Sequence, residues 1–403
     1  MGARVLVLSW EFPPIVEGGL ARHVRKLTEQ LGRAGADVHV LTRGGDHAPA
    51  EEERHGVTVH RVREPSFPRD DLDAFLAWIE QMNADMLAAA DGLVERLGFD
   101  LVHSHDWLVA GAAERLAARL RVPWVVTVHA TEHGRHQGWV DKHPQSHIHA
   151  VEKRMVHRAD RVIACSELMR EHIGEAFGLA EDRVTVIPNG IDPADLHTPE
   201  DLDELRARYA APHEKLVLLA GRLVYEKGFQ VALEALGNRR SGVLRRVPDV
   251  RYLVAGTGTH EEELKAQVRR LRIVRRGTFA GWLGDDALHG LYRVADLCVI
   301  PSLYEPFGLV ALEAMASGCA CVVADTGGLR EVVPGDVGMR FASRDAGALA
   351  AVMERVLTDP ALHDRMVAEG RAHVLRFDWA DVAARTAALY GEVLPRPRTT
   401  TRV

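Results

Sequence analysis

The sequence predicts an α/β protein built from two doubly wound domains. Short runs rich in β-branched residues alternate with longer amphipathic runs along nearly the whole chain. Such an alternation gives parallel sheets whose two faces are covered by helices. A dozen strand candidates are too many for one comfortable hydrophobic core. Open sheets of this kind bind ligands at the carboxyl ends of their strands, so the loops that follow the strands are the candidates for function.

The first half of the chain supplies seven of these strands and two clear helices. The strands are predicted at residues 5–9, 38–42, 57–61, 101–104, 124–128, 162–165 and 184–187. One helix is predicted from four apolar residues at helical spacing, namely Leu20, Val24, Leu27 and Leu31. Gly32 and Gly35 are predicted to end this helix. A longer helical pattern covers residues 72–97.

The second half repeats the scheme. Strands are predicted at residues 216–220, 252–255, 278–280, 297–300 and 321–324, and helices at 229–236 and 261–271. A polar stretch at 189–212 separates the halves, and Gly190 and Pro193 favour a turn there. We therefore expect domains at 1–195 and 196–378. A last helix at 379–394 could pack back on the first domain, and 395–403 is predicted to be a disordered tail.

Composition excludes several classes of protein. The chain has 403 residues, 47% hydrophobic and 27% charged, and its net charge of −7 argues against a general nucleic-acid binder. No apolar run approaches the ~18 residues of a membrane span. The first apolar run, residues 5–10, ends at Glu11 and is too short for a secretory leader, so a cytoplasmic location is expected. The oligomeric state is left open by the sequence, with a homodimer as one expectation.

The cysteines and histidines do not have the spacing of a metal site. The cysteines are predicted to pack in the core, and they are Cys165, Cys298, Cys319 and Cys321. Six of the 21 histidines fall between His129 and His149, without the cysteine or carboxylate spacing of a structural zinc motif. A polar loop is the better interpretation of that stretch, and no metal ligands are predicted.

Two carboxylates frame a loop after the strand predicted at 297–300. Pro306 and Gly308 interrupt the backbone, so Glu305 is expected on a loop and Glu313 inside a helix over residues 309–317. The helical rise places Glu313 about 7 Å beyond the glycine turn. The two acids could therefore contact two distant parts of one extended ligand, although two solvated glutamates would show the same spacing.

Two cations follow the first strand of the second half. Arg222 and Lys227 lie on the loop after residues 216–220, and Gly228 precedes a helix. They could clamp a diphosphate, the guanidinium as a fork and the ammonium as a point charge. The alternative is a pair of solvated surface cations.

Other loops carry weaker signals. Gly18 and Gly19 precede the first helix, whose free N–H groups attract an anion, and Gly256 follows the strand at 252–255 in the same way. Each could also be an ordinary turn. The pattern is not Gly-x-Gly-x-x-Gly, so nicotinamide dinucleotide binding is poorly supported. His129 ends the strand at 124–128 and could bond a substrate hydroxyl or be a structural residue.

In their order along the chain, these motifs resemble a retaining glycosyltransferase of family 4, of the GT-B type. The resemblance covers residues 5–394 and includes the segment Val186-Ile187-Pro188-Asn189-Gly190-Ile191-Asp192. It implies two Rossmann-like domains with a nucleotide sugar in an interdomain cleft. It also implies no cofactor and no metal requirement, with the nucleotide sugar as donor substrate and a carbohydrate-type molecule as acceptor.

The resemblance assigns roles by position. The carboxylate of Glu313 would bind the ribose and that of Glu305 the donor sugar. Arg222 and Lys227 would neutralise the leaving diphosphate, and His129 would contact the sugar near the reaction centre. Backbone groups would complete the donor site, namely those of Gly18, Gly19, Gly256, Phe307, Gly308 and Leu309. Ala320 departs from the family, which usually has proline there, so the adjacent loop is less certain.

The segments at 9–24 and 127–139 are most similar to those of bacterial glycogen synthases and maltose-1-phosphate synthases. That similarity implies transfer of glucose from ADP-glucose, with UDP or GDP donors as alternatives, to glucose 1-phosphate or an α-glucan. An antibiotic aminocyclitol or a lipid acceptor remains an alternative, and the basic first helix leaves membrane-surface binding open. Two further classes share the fold type, a nucleotide-sugar epimerase and a non-catalytic sugar-nucleotide sensor.

Overall fold

The structure, a computed structural model, describes residues 2–45, 48–63, 72–199 and 201–395. From residue 396 onward the predicted tail lies outside them. The described chain divides into two compact units. The first holds the residues up to Gly190 and those from Trp379 onward, and the second holds Ile191–Asp378.

The first unit is an α/β layer structure around an eight-stranded sheet. Its strands are β1 (Arg4–Leu8), β2 (Asp37–Gly44), β3 (Glu51–Arg54), β4 (Val57–Arg63), β5 (Leu101–His105), β6 (Trp124–Val128), β7 (Arg161–Ala164) and β8 (Val184–Val186). Their order is β3-β4-β2-β1-β5-β6-β7-β8, and the pairs are parallel except β3 with β4. Its helices are α1 (Gly19–Arg33), α2 (Leu72–Leu97), α3 (Ala110–Leu120), α4 (Glu132–Arg135), α5 (Gln145–Arg158) and α6 (Glu167–Phe177).

The second unit has the same architecture around six parallel strands. They are β9 (Lys215–Ala220), β10 (Val250–Ala255), β11 (Gly277–Gly281), β12 (Leu297–Ile300), β13 (Cys321–Ala324) and β14 (Met339–Phe341), in the order β11-β10-β9-β12-β13-β14. The helices are α7 (Leu202–Ala207), α8 (Phe229–Gly237), α9 (Val243–Arg246), α10 (Glu261–Leu271), α11 (Asp285–Val294), α12 (Leu309–Ala316), α13 (Leu329–Val332), α14 (Ala346–Thr358) and α15 (Pro360–Val374).

A last helix, α16 (Trp379–Val393), belongs to the first unit. Its apolar face joins the core formed by β1 and α1, through Trp379, Val382 and Leu389. Helical spacing places these side chains on one face of the helix, and that face is buried. The chain thus returns to the first unit after completing the second.

The predicted fold class is confirmed, since both sheets are covered by helices. The bounds predicted for β12, β13 and α10 agree with the structure residue for residue. Two strands were missed. β3 is an acidic, partly exposed edge strand without β-branched residues, and β14 has only three residues, so neither carries the usual strand signal.

All four cysteines are buried and none of them forms a disulfide, which confirms the prediction that they pack in the core. Ala320, which replaces the proline usual in the family, is buried immediately before β13, and its carbonyl accepts the Cys298 N–H at 2.9 Å. The register of β12 with β13 is regular without proline. Within the described ranges, no helix combines the length and apolarity that crossing a bilayer requires.

Candidate functional site

The loop between β12 and α12 carries Glu305, and α12 carries Glu313, as predicted. Both residues are buried, with 8% and 7% of their surfaces exposed. Gly308 is the N-cap of α12 and adopts φ +115°, a conformation that favours glycine. A Cβ there would lie 2.7 Å from Leu329 Cδ2. The loop therefore requires glycine both for its backbone and for its close packing.

Lys227 and Glu305 form an ion pair that the sequence did not predict. Lys227 Nζ donates to Glu305 Oε2 at 2.7 Å, and Ser302 Oγ donates to the same oxygen at 3.0 Å. The two charged side chains are 22% and 11% exposed, so the pair is only partly solvated. We call these three residues the lysine–glutamate cluster. Since both bonds go to Oε2, the second oxygen of Glu305 takes no part in them.

The turn at Gly327 and Gly328 packs against the backbone of Glu305. Gly328 N–H donates to the Glu305 carbonyl at 2.9 Å, and a Cβ on Gly327 would lie 2.0 Å from that carbonyl oxygen. Phe307 is buried against the edge of Phe377, with ring centroids 5.9 Å apart. The two glycines therefore have a packing role that fixes the backbone of the glutamate loop.

Glu313 lies about one turn into α12. Tyr292 Oη, on α11, donates to Glu313 Oε2 at 3.2 Å, and both residues are buried. A buried carboxylate needs such donors, because burial otherwise disfavours the charged form. Tyr292 was not among the predicted site residues, since a tyrosine at helical spacing reads as core.

The loops after β9 and β10 are joined. Gly256 adopts φ +139°, and a Cβ there would lie 1.9 Å from the Gly221 carbonyl oxygen. Leu223 N–H donates to the Thr257 carbonyl at 2.9 Å. The exposed Arg222 lies on this joined pair of loops, whereas Lys227 ends the short helix Tyr225–Lys227. The positive φ and the close approach to Gly221 thus explain why residue 256 is glycine. Its donor-binding role stays a prediction.

In the first unit, Gly18 precedes α1 in an extended conformation, with φ −173°. The buried carboxylate of Glu11 accepts from the Glu17 and Gly18 N–H groups, at 2.5 and 3.2 Å. Burial raises the pKa of Glu11 to about 7. An internal acid therefore occupies these two amides, and the N–H groups that begin α1 at Gly19 have no side-chain cap from Gly18.

His129, which is half-buried, belongs with three buried histidines to a group that we call the histidine cluster, formed by His23, His103, His105 and His129. His105 Nδ1 lies 3.0 Å from His129 Nε2, and the rings of His23 and His129 meet edge to face at 4.6 Å. His103 bonds Tyr390 Oη at 2.6 Å and Thr127 Oγ1 at 2.8 Å. Burial lowers the pKa of His129 to about 4, so its imidazole is neutral at pH 7.

Two buried carboxylates hold the chain that follows β6. Asp106 Oδ1 accepts the His129 N–H at 2.7 Å, and Asp106 itself adopts φ +59°. Both oxygens of Glu152 accept the Glu132 N–H, at 2.9 and 3.0 Å. In the sequence, the pair His105-Asp106 could be either pocket wall or core, and Glu152 reads as a polar residue on a helix.

Glu152→Gln should change how stability depends on pH. Burial raises the pKa of Glu152 from 4.5 to about 8, so between these values the folded state binds more protons than the unfolded chain. Wild-type stability should therefore fall with rising pH, by up to about 1.4 kcal/mol per unit, and level off above pH 8. The amide keeps an acceptor for the Glu132 N–H but does not titrate. Urea unfolding from pH 5 to 9 tests this, and parallel curves for the two proteins would contradict it.

The structure corrects the sequence interpretation of the histidine-rich stretch at 129–149. The stretch was predicted as a polar loop, but it contains α4 and the start of α5. His143 Nε2 lies 2.6 Å from Asp73 Oδ1, and the ring of His149 stacks on Phe177 at 5.1 Å. The alternation of histidines with polar residues hid the helical spacing of Ile148, Glu152 and Met155, which are buried.

The predicted residues thus form two groups. In the second unit the structure brings Lys227 to Glu305, and it places Phe307, Gly308, Leu309 and Glu313 on one loop and helix. Arg222 and Gly256 lie on adjoining loops of that unit. His129, Gly18 and Gly19 belong to the first unit. Cations and helix N-terminal amides of this kind bind phosphate, and carboxylates bind the hydroxyl groups of a sugar or a ribose.

Comparisons with known proteins identify the relatives of this chain and its fold. Residues 17–195 match the family described as Glycosyltransferase Family 4, and residues 201–373 match Glycosyl transferases group 1. The glycogen synthase of Mycobacterium tuberculosis (strain H37Rv) is 41% identical and covers 98% of this chain and 97% of its own. A D-inositol 3-phosphate glycosyltransferase of Acidothermus cellulolyticus is 30% identical, covering 95% and 87%. The structure of sucrose-phosphate synthase from Thermosynechococcus elongatus has a TM-score of 0.81, at 26% identity over 97% of this chain and 98% of that one.

Proposed function

This chain belongs to glycosyltransferase family 4, and on that premise we propose that it is a retaining hexosyltransferase that moves glucose from ADP-glucose to glucose 1-phosphate or an α-glucan. That the protein is a glycosyltransferase using a nucleotide sugar follows from its relatives. The choice of glucose, of adenine and of these acceptors is the proposal. It rests on the 41% identity to a protein named glycogen synthase.

The observation that carries the chemistry is the lysine–glutamate cluster. Breaking the bond between a sugar and a diphosphate requires charge stabilisation on the leaving group, aimed at the transition state. The Lys227 ammonium, held at 2.7 Å from Glu305, supplies a fixed cation for that purpose. Arg222, on the loop between β9 and the helix Tyr225–Lys227, is the second cation. No metal ion is needed for this role.

The carboxylates would hold the rest of the donor. Glu305 Oε1 would accept from hydroxyls of the donor sugar, while Oε2 keeps its bonds to Lys227 and Ser302. Glu313 would accept from the ribose hydroxyls. The N–H groups of Phe307, Gly308 and Leu309 lie at the start of α12, where the helix dipole favours an anion. Gly256 would border the nucleotide.

In the first unit, His129 and the N-terminus of α1 are the groups that we propose for substrate binding. His129 Nε2 already lies 3.0 Å from His105 Nδ1, so His129 Nδ1 is the ring nitrogen that would bond a sugar hydroxyl. The amides that follow Gly18, beginning at Gly19, would bind a phosphate oxygen.

Retention follows from attack on the same face of the sugar. The acceptor oxygen forms a bond to C1 as the bond from C1 to the diphosphate oxygen breaks. The acceptor's proton passes to a leaving phosphate oxygen. The product therefore keeps the α configuration, and a nucleoside diphosphate is released.

A cyclitol phosphate is the second candidate acceptor. Relatives at about 30% identity are named D-inositol 3-phosphate glycosyltransferases. A panel separates the candidates: each of ADP-, UDP- and GDP-glucose is tested for diphosphate release with glucose 1-phosphate, α-glucan, inositol 3-phosphate or no acceptor. The proposal predicts the highest rate with ADP-glucose and one of the first two acceptors. A higher rate with inositol 3-phosphate would replace it.

Gly18→Ala should weaken donor binding without affecting the fold. A Cβ on Gly18 has no atom within 4 Å, and its extended backbone suits any residue. The methyl group would, however, stand beside the amides proposed to bind phosphate, so the donor KM should rise about tenfold. Gly284→Ala is a matched control, since Gly284 is also an N-cap with open space around its Cβ. Equal donor KM values for both variants would argue against a phosphate at α1.

A further inference from the structure

The histidine cluster has the geometry of a metal site. His23, His105 and His129 each offer one ring nitrogen, and these three atoms lie within 4.8 Å of one another. Two of the nitrogens that face each other, His105 Nδ1 and His129 Nε2, are 3.0 Å apart. Imidazole nitrogens bound to zinc at about 2.0–2.1 Å are separated by roughly 3.3 Å in a tetrahedron. Small side-chain rotations would therefore bring all three to one ion.

The hydrogen bonding of these residues is incomplete. Both ring nitrogens of His23 and Nε2 of His105 are buried and have no partner with hydrogen-bond geometry among the described residues, although the Asn189 side chain interacts with His23. His23 is 5% exposed and His105 is fully buried. Buried polar atoms are nearly always paired, and an ion is one of the recognised reasons for an exception. The orphaned nitrogens lie within the same group of rings as the close nitrogen pair.

The three histidines come from three different elements of the first unit. His23 lies on α1, His105 ends β5, and His129 follows β6. The two strands are neighbours in the sheet, so their carboxyl ends lie side by side. His129 is only half-buried, so solvent reaches this residue. This support from the fold is what a preformed site needs.

We propose that His23, His105 and His129 form a binding site for one borderline divalent metal ion such as Zn²⁺ or Co²⁺. Three imidazole nitrogens suit these ions, whereas Mg²⁺ and Ca²⁺ prefer oxygen ligands. The site does not depend on the proposed transfer reaction, which needs no metal. A group of packed histidines that binds no metal is the alternative outcome.

Titration of the full-length protein with CoCl₂ tests the proposal, because four-coordinate Co²⁺ with nitrogen ligands absorbs visibly and changes colour on binding. Wild type should bind one equivalent, and Zn²⁺ should displace it. His23→Gln and His129→Ala should each weaken Co²⁺ binding at least tenfold. His143→Ala is the control: it removes an exposed histidine near His147 and should leave the titration unchanged.

Circular dichroism of each variant separates loss of ligand from loss of fold. Should His23→Gln unfold, His129→Ala decides, since that side chain is half-buried. The absence of a visible band in wild type would overturn the proposal. So would equal Co²⁺ affinity in wild type and in a folded His129→Ala variant.

Discussion

Replacing Lys227 with methionine should lower kcat/KM by about 10²–10³-fold. Methionine keeps most of the side chain's length and apolar stem but removes the ammonium group. In the proposed reaction that group stabilises the charge that develops on the leaving diphosphate, so its loss raises the barrier more than it weakens ground-state binding. Steady-state kinetics of nucleoside diphosphate release measures the effect, with kcat expected to fall more than the donor KM rises.

Lys215→Met is the matched control. Lys215 lies in the same unit, at the opposite end of β9, and Nζ lies 3.3 Å from Asp296 Oδ1. Its side chain is 48% exposed, so the same change of charge is made at a solvated ion pair. Its kinetics should match wild type. Equal activity of Lys227→Met and Lys215→Met would contradict the role given to Lys227.

The Lys227→Met substitution should also lower the free energy of unfolding. The variant leaves the Glu305 carboxylate, on a residue 8% exposed, without the cation that faces it. A partly buried charge that loses its partner costs about 1–3 kcal/mol of unfolding free energy. A modest fall in stability is therefore expected to accompany the fall in turnover. The Glu305→Gln variant, alone and combined with Lys227→Met, separates the two effects.

Glu305→Gln should lower kcat about 10²-fold, on the scale of other lost charge-assisted bonds in active sites. Glutamine has the same shape and can still accept from Lys227 and Ser302. It lacks the negative charge that strengthens bonds to sugar hydroxyls. Combining it with Lys227→Met removes both charges, so urea unfolding should show part of the stability lost in Lys227→Met restored, while turnover stays low.

The double variant is the informative result, because it distinguishes a structural ion pair from a catalytic one. If the pair were merely structural, restoring stability would restore activity. Recovery of turnover in the double variant would therefore contradict the catalytic assignment. A Glu305→Gln variant with wild-type kcat would contradict the role given to Glu305 alone.

The elements of the fold were largely predictable from sequence, because fully buried parallel strands read as short apolar runs. β12 and β13 illustrate this: each is four residues long, and each was predicted with its observed bounds. β3 was not predictable, since its acidic residues are stabilised by pairing with β4 rather than by burial. The helical start of α5 was hidden by histidines on both of its faces.

The candidate site was predictable as a set of residues but not as a set of contacts. The spacing of Glu305 and Glu313 around a glycine turn placed them correctly on a loop and a helix. The bond from Lys227 to Glu305 spans 78 positions, and no local pattern shows which strand ends lie side by side. Glu152 was not predicted for a related reason, since a buried carboxylate that holds backbone amides resembles a surface acid in sequence.

Proton NMR of a reaction mixture tests the central claim most directly. ADP-glucose and glucose 1-phosphate are incubated with the protein, and the anomeric and nucleotide signals are followed together. Transfer with retention predicts a new α-anomeric signal that grows in step with ADP and only when the acceptor is present. Two results, each obtained with all three glucose donors and every acceptor of the panel, would contradict the claim. In the first, the donor stays intact. In the second, the sugar changes while it is still attached to its nucleotide.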